Sequence, residues 1–251
     1  SNCIWSGGRI SYEDSEPENV FALMKEYNIS SRLTFSNSLI EEKHLSDIKC
    51  NELCRLLNLD TNNGIIIHSD ILMKYLKKIY PNLYYVSSTT KVLTDFHDFK
   101  KEVENPDFKY VVPDFRLNKQ FEKLNSLSEV YKQKVEFLCN ECCWYGCKDR
   151  KECYETVSKQ NLGIDCTDYI CKAPHSNEGY RFSRVMESPA FISLDDILNV
   201  YVPVGYSNFK IEGRDLGNAL LLEFILYYMV KPQYQIHVRE EMYLDTMLDL
   251  F

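Results

Sequence analysis

At 251 residues, with 45% hydrophobic and 26% charged residues, the chain suits one large globular domain that buries its core without cross-links. The net charge is −8 and Lys and Arg are scattered rather than striped, which argues against nucleic acid as the main partner. The longest apolar run, Ala219 to Val230, is interrupted by Glu223 and falls short of the roughly 18 residues of a membrane span, so no membrane association is expected. No signal peptide is visible, which makes a reducing, cytoplasmic setting the expectation. The chain opens on Ser1-Asn2 rather than Met, and this reads as a tag remnant ahead of a truncated chain.

In chain order, Pro17 suits a first helical residue, and Val20, Leu23, Met24 and Tyr27 form one stripe behind it. A strand is expected over Arg32–Ser36. Cys50 and Cys54 then stand one helical turn apart, where they either share a ligand or sit incidentally on a partly buried helix. Gly64–His68 reads as a second strand. Asp70 caps a helix carrying Leu72, Tyr75, Leu76 and Ile79 and ended by Pro81. Further strands are expected at Leu83–Ser87, Tyr110–Asp114, Val135–Cys139, Ala190–Ser193 and Asn208–Glu212. Gly217 to Lys231 reads as a strongly buried helix stopped by Pro232.

Short apolar runs alternating with amphipathic stretches define a parallel α/β fold, covered on both faces of its sheet. Seven strand candidates are one short of eight. The reading is therefore a single TIM-like barrel over residues 1–251, incomplete at its N-terminus or permuted, with the missing strand ahead of Cys3. No glycine-rich phosphate loop follows any strand; Gly7-Gly8 is a lone pair.

Ten cysteines are present, and seven of them (Cys139, Cys142, Cys143, Cys147, Cys153, Cys166 and Cys171) fall in the segment 139–189, read as an insertion between strands. Clustered thiols in a reducing setting point to a metal or cluster, because one short segment delivers several soft ligands at low entropic cost. The alternative is that most are small buried hydrophobes or free loop thiols. Within the insertion, Gln160 to Pro189 shows no clear period, and it also holds His175, Glu178 and Arg181.

Barrel active sites lie at the C-terminal ends of strands. Read in that register, the strand ends offer Asn37, His68, Ser88, Asn140 and Glu141 as substrate contacts, and Asp114 with Arg116 as a charged pair. Ser69 and Asp70 have a duller role as helix caps. Lys210, Glu212 and Arg214 alternate on one face of the last strand; buried charges must be paired, and such a group can bind a carboxylate or position a proton donor.

The run Asn208-Phe-Lys-Ile-Glu-Gly-Arg214 resembles the Phe-Lys-Ile-Glu-Gly-Arg motif of the collagenase-like peptidase family of unknown catalytic type, a peptidase U family. Gly64-Ile-Ile-Ile-His-Ser-Asp70 is similar to its Gly-Val-Ile-Val-Asn-Ser strand and cap. Val111-Val-Pro-Asp-Phe-Arg-Leu117 resembles its Val-Leu-Ser-Pro-Glu-Leu-Ser-Leu strand, and Val135-Glu-Phe-Leu-Cys-Asn140 the strand before its cysteine motif. Ser188-Pro-Ala-Phe-Ile-Ser-Leu-Asp-Asp196 is similar to the segment leading into its last strands. The resemblance implies a barrel scaffold and, from members that act as oxygen-independent hydroxylation proteins, a four-iron four-sulfur cluster on four cysteines. By position it implies Cys143, Cys147, Cys153 and Cys171 as ligands, with Cys142 and Cys166 as substitutes. Two departures stand out: Asn140-Glu141-Cys142-Cys143 replaces the family's Gly-Ala-Leu-Cys, and Ser193-Leu-Asp-Asp196 has no thiol where some members place a ligand.

Three functions are compatible with these residues. The first is an iron–sulfur-dependent redox or hydroxylating enzyme, with Lys210, Glu212, Arg214, Asp114 and Arg116 as its catalytic group. The second is a peptidase or other hydrolase pairing His68 with a cysteine. The third is a non-enzymatic binding or accessory protein stabilised by zinc on four cysteines, or on three and His175; an accessory partner protein is a further candidate partner of the chain. The substrate, small or macromolecular, is not named by the residues.

Overall fold

The computed structural model describes residues 3–7, 17–213 and 216–248, the side chains of 245–248 excepted; Arg214 and the strand expected ahead of Cys3 lie outside them. Six parallel strands follow one another in chain order: β1 (Arg32–Phe35), β2 (Gly64–Ile67), β3 (Tyr84–Ser87), β4 (Tyr110–Val111), β5 (Glu136–Leu138) and β6 (Asn208–Lys210). β1 to β4 form one ladder and β5 with β6 another, and a single parallel bridge between Val111 and Val135 joins the two. Among the described residues no ladder connects β6 back to β1. The architecture is thus mixed α/β, with a parallel sheet, helices and a cysteine-rich region.

Helices fill the crossovers: α1 (Pro17–Glu26), α2 (Ile48–Leu57), α3 (Asp70–Ile79), α4 (Phe96–Glu104), α5 (Phe121–Leu124) and α6 (Glu129–Lys132) precede β5. Between β5 and β6 come α7 (Arg150–Asn161), α8 (Phe182–Met186) and α9 (Leu194–Asp196), and after β6 come α10 (Asn218–Met229) and α11 (Gln235–Leu248). Six of the seven expected strands are present. Ala190–Ser193 is a loop instead: Ile192 N–H donates to Cys139 C=O at 3.0 Å, while Ala190 C=O accepts from the Asn118 amide at 3.0 Å, so a side chain takes the place of a ladder. Ser69, not Asp70, caps α3, accepting from Leu72 N–H at 3.3 Å. α10 forms where a helix was expected, but only Phe224 and Leu226 are buried on it.

Strand side chains alternate between faces, and the sheet's two faces are packed differently. The odd-numbered face (Leu33, Phe35, Ile65, Ile67, Tyr85, Val111, Phe137 and Cys139) joins the helices in the main core. The even-numbered face holds a separate small cluster of Ile66, Val86, Val112 and Leu138, with Tyr84 and Tyr110 packed against it. Below that cluster Arg32 of β1 pairs with Glu136 of β5 at 2.5 Å and donates to the Tyr84 hydroxyl at 2.8 Å. Its guanidinium lies 4.9 Å from the Tyr110 ring centroid. On a flat sheet β1 and β5, four spacings apart, would stand roughly 19 Å from each other. Their contact shows that the sheet curls around its even face.

Asn118, fully buried, braces this region by donating to the Leu138 and Ala190 carbonyls at 3.0 Å each. Asn118→Leu leaves both acceptors without their donor, and a loss of about 2–3 kcal/mol is expected in urea unfolding.

Candidate metal and substrate site

The C-terminal strand ends gather an unusual concentration of charge. Past β4, Asp114 is fully buried and accepts from Arg116 N–H at 3.1 Å, capping a short turn over Phe115–Leu117. Its second oxygen accepts from Arg150 at 2.9 Å. Arg150 opens α7, is only 2% exposed, and also binds the Glu141 carboxylate. The guanidinium is flanked by Phe115, 4.7 Å to the ring centroid, and Tyr154, 5.3 Å. Burial opposes its charge, but Glu141 and Asp114 hold its pKa well above the ordinary value.

Past β5 and β6, side chains continue the pairing that the ladder ends. Asn140 accepts from Glu212 N–H at 2.8 Å and donates to Glu212 C=O at 3.2 Å. The Glu212 carboxylate accepts from Cys142 N–H at 2.7 Å, and Glu141 accepts from Cys143 N–H at 3.1 Å. Two carboxylates are therefore anchored to the backbone that carries two adjacent thiols. Burial first, and the charge of Glu141 second, push Glu212 up to about 7. Asp114, Glu141 and Glu212 thus meet two guanidiniums, Arg150 and, 3.3 Å from Asp114, Arg116, which leaves one carboxylate in excess.

Ligand atoms of Glu141, Cys142 and Cys143 all lie within 4.8 Å of one another. This is the spacing and chemistry of a metal's donor set, and a cation there offsets the carboxylate excess. The Cys142 thiol is pushed far up, first by its hydrogen bond to Cys143, so the pair holds a proton that a metal would displace.

The other expected ligands lie further along the insertion. Cys147 is in a turn closed by its N–H to Trp144 C=O at 2.9 Å, and Cys153 is on α7. The chain after α7 folds back: Tyr169 and Lys172 reach Asp149 at 3.3 and 2.9 Å, and Cys166 lies 3.9 Å from Thr156 C=O. Tyr169 is pushed up to about 12, first by desolvation and then by the charge of Asp149. Cys171 is exposed on the same return. The structure thus brings Glu141, Cys142 and Cys143 together, and among the described residues no group within 4.8 Å joins Cys143 to Cys147, Cys153 and Cys171.

Other expected contacts divide by role. His68 is half-buried, its Nδ1 2.9 Å from the Thr90 hydroxyl, and burial then Lys91 push it down to about 4, so it is neutral at pH 7. Ser88 is buried and accepts from both the N–H and the hydroxyl of Thr90 at 3.2 and 3.0 Å. Asn37 is fully buried and donates to Ile4 C=O at 2.8 Å and Ser158 C=O at 3.1 Å, tying β1 to the N-terminal segment and α7. Lys210 shares the even face of β6 with Asn208, opposite Leu138 in the ladder. Arg116 lies 3.3 Å from Asp114, and its buried Nε and Nη2 have no hydrogen-bond acceptor among the described residues.

Arg150 and Tyr154 escaped the sequence reading. The signal for Arg150 was present: Arg150, Val157, Ser158 and Asn161 recur at helical spacing and are the buried residues of α7.

The site defines a parallel α/β protein with a thiol–carboxylate donor group at its strand ends. No family model, curated protein or solved structure matches the chain. No helix among the described residues is long and apolar enough to cross a membrane.

Proposed function

We propose that this chain is a barrel-type enzyme of the collagenase-like peptidase and hydroxylation kind, working in a reducing, cytoplasmic setting. In this reading it holds an iron–sulfur cluster on thiolates of the insertion and carries out redox or hydroxylation chemistry on a polar substrate. The observation that carries it is the convergence of Glu141, Cys142 and Cys143 within 4.8 Å, beside the buried Asp114 and Arg150 at the strand ends. The curled sheet supports the barrel: its even face would be the interior, ending upward in His68, Ser88, Asp114, Asn140 and Glu212.

Cys142 and Cys143 would supply two thiolates, Cys142 standing in for one member of the expected set, with the other two from among Cys147, Cys153 and Cys171. Such a cluster supplies electrons one at a time. The chain's own residues do the rest. Arg116 retains guanidinium donors for an anionic or carbonyl group, Lys210 stands on the same strand face, and Glu212, near neutrality, can hold or release a proton. His68, neutral and bonded to Thr90, serves as a polar contact rather than as the base of a thiol hydrolase. Zinc is the second reading, favoured by the carboxylate in the triad, since zinc accepts mixed sulfur and oxygen ligands.

Anaerobic reconstitution with ferrous iron and sulfide tests the proposal. A broad band near roughly 400 nm is expected, bleached by dithionite and lost in Cys142→Ser/Cys143→Ser. Uptake of zinc alone, with no band, supports the second reading; no uptake of either metal overturns both.

A further inference from the structure

We propose that Cys3 and Cys50 are a disulfide-forming pair, a covalent modification site that fastens the N-terminal segment to the first turn of α2. The sulfurs lie 2.7 Å apart, 47 residues apart in the chain, on two pieces of backbone that are independently fixed. Asp47 caps α2 by accepting from Cys50 N–H at 2.8 Å, which sets the direction of that thiol.

Opposite it, residues 3–7 are built into the core rather than laid over it. Trp5 is fully buried, edge-on to Phe35 with centroids 5.2 Å apart, and its indole N–H donates to His44 C=O at 2.8 Å. Asn37 N–H donates to Trp5 C=O at 3.1 Å, and the Asn161 amide of α7 donates to Ser6 C=O at 2.8 Å. Closing the bond to about 2.05 Å therefore asks for a sulfur shift of well under 1 Å and no rearrangement of the chain.

The two thiols are not equivalent. Cys3 keeps 6% of its surface exposed and Cys50 keeps none. The Cys50 thiol and the N–H groups of Trp5 and Ser6 favour the Cys3 thiolate, while Cys50 is pushed up by that same hydrogen bond and by burial. Cys3 is thus the attacking sulfur. With a small disulfide such as oxidised glutathione as oxidant, the Cys3 thiolate displaces one small thiolate and forms a mixed disulfide. Cys50, giving up its proton, then displaces the second small thiol, so two protein thiols are oxidised and one small disulfide is reduced to two thiols. Cys54, also fully buried and one turn further along α2, is pushed up to a value well above an ordinary thiol by burial, and stays reduced.

The link has a reach beyond its own atoms. The segment it fastens contacts Asn37 at the end of β1 and Asn161 at the end of α7, and α7 is the helix that begins with Arg150. Oxidation at residue 3 accordingly stiffens the support of the charged strand-end group.

Incubation of the full chain with oxidised glutathione, alkylation of remaining thiols and non-reducing peptide mapping test the proposal. The expected product is the Cys3 peptide joined to the Cys50 peptide, two hydrogens lighter than their sum, and unchanged in Cys54→Ser. A rise in Tm of roughly 5–10 °C, reversed by dithiothreitol and absent in Cys3→Ser, accompanies it. Recovery of Cys3 and Cys50 both alkylated, or of Cys3 joined to any other cysteine, overturns the proposal.

Discussion

Replacing Arg150 by methionine is expected to cost about 3–5 kcal/mol of folding stability, the largest effect of any single change at the strand ends. Arg150 is 2% exposed and is the cation between Asp114 and Glu141, both buried. Methionine keeps much of the volume against Phe115 and Tyr154 but strands two buried carboxylates, Glu141 without its cation and Asp114 with Arg116 alone. Lysine at 150 retains the charge as a single point and cannot span both acids, so it should recover only part of the loss. Adding Glu141→Gln to Arg150→Met should restore stability, because one of the stranded charges is removed. Urea denaturation of the four proteins is the measurement. A loss below about 1 kcal/mol for Arg150→Met would show that the pair is solvated and that α7 is held by its other contacts.

The second large effect concerns pH. Glu212 has its folded-state pKa raised to about 7 from an ordinary 4.5, so the folded protein favours the protonated form. The stability this contributes is fully present below about pH 4.5 and is lost as pH rises through 7. Metal-free protein should therefore lose roughly 2 kcal/mol across that interval relative to Glu212→Gln, allowing for solvent contact. The comparison is a set of unfolding curves for both proteins between pH 4 and pH 8. Parallel stability profiles would mean that Glu212 titrates alike in the folded and unfolded chain, and so feels neither burial nor the charge of Glu141.

Much of this arrangement is legible in the residues, for identifiable reasons. Apolar runs such as Gly64–Ile67 announce strands covered on both faces, and the polar residues that follow each run fall at the same end of a parallel sheet. Ala190–Ser193 carries a similar apolar signal, yet the Asn118 amide satisfies its backbone and no ladder forms. Two adjacent cap-forming residues, Ser69 and Asp70, leave the helix start ambiguous by one position. Arg150 sits in the charged run Lys148-Asp-Arg150-Lys151, whose composition reads as solvated; only the helical spacing of α7 shows that one member turns inward. Cys50 and Cys54 invite pairing with each other, whereas the partner of Cys50 is Cys3, which no local spacing reveals. Long-range contacts of this kind are set by packing and lie beyond periodicity.

A thiolate-held cluster is tested most sharply by the iron and acid-labile sulfide content of protein purified without oxygen, beside Cys142→Ser/Cys143→Ser. Iron and sulfide in equal amounts are expected in the parent chain and neither in the variant. Protein that holds no iron, or that holds the same iron and sulfide after both thiols are removed, would contradict it.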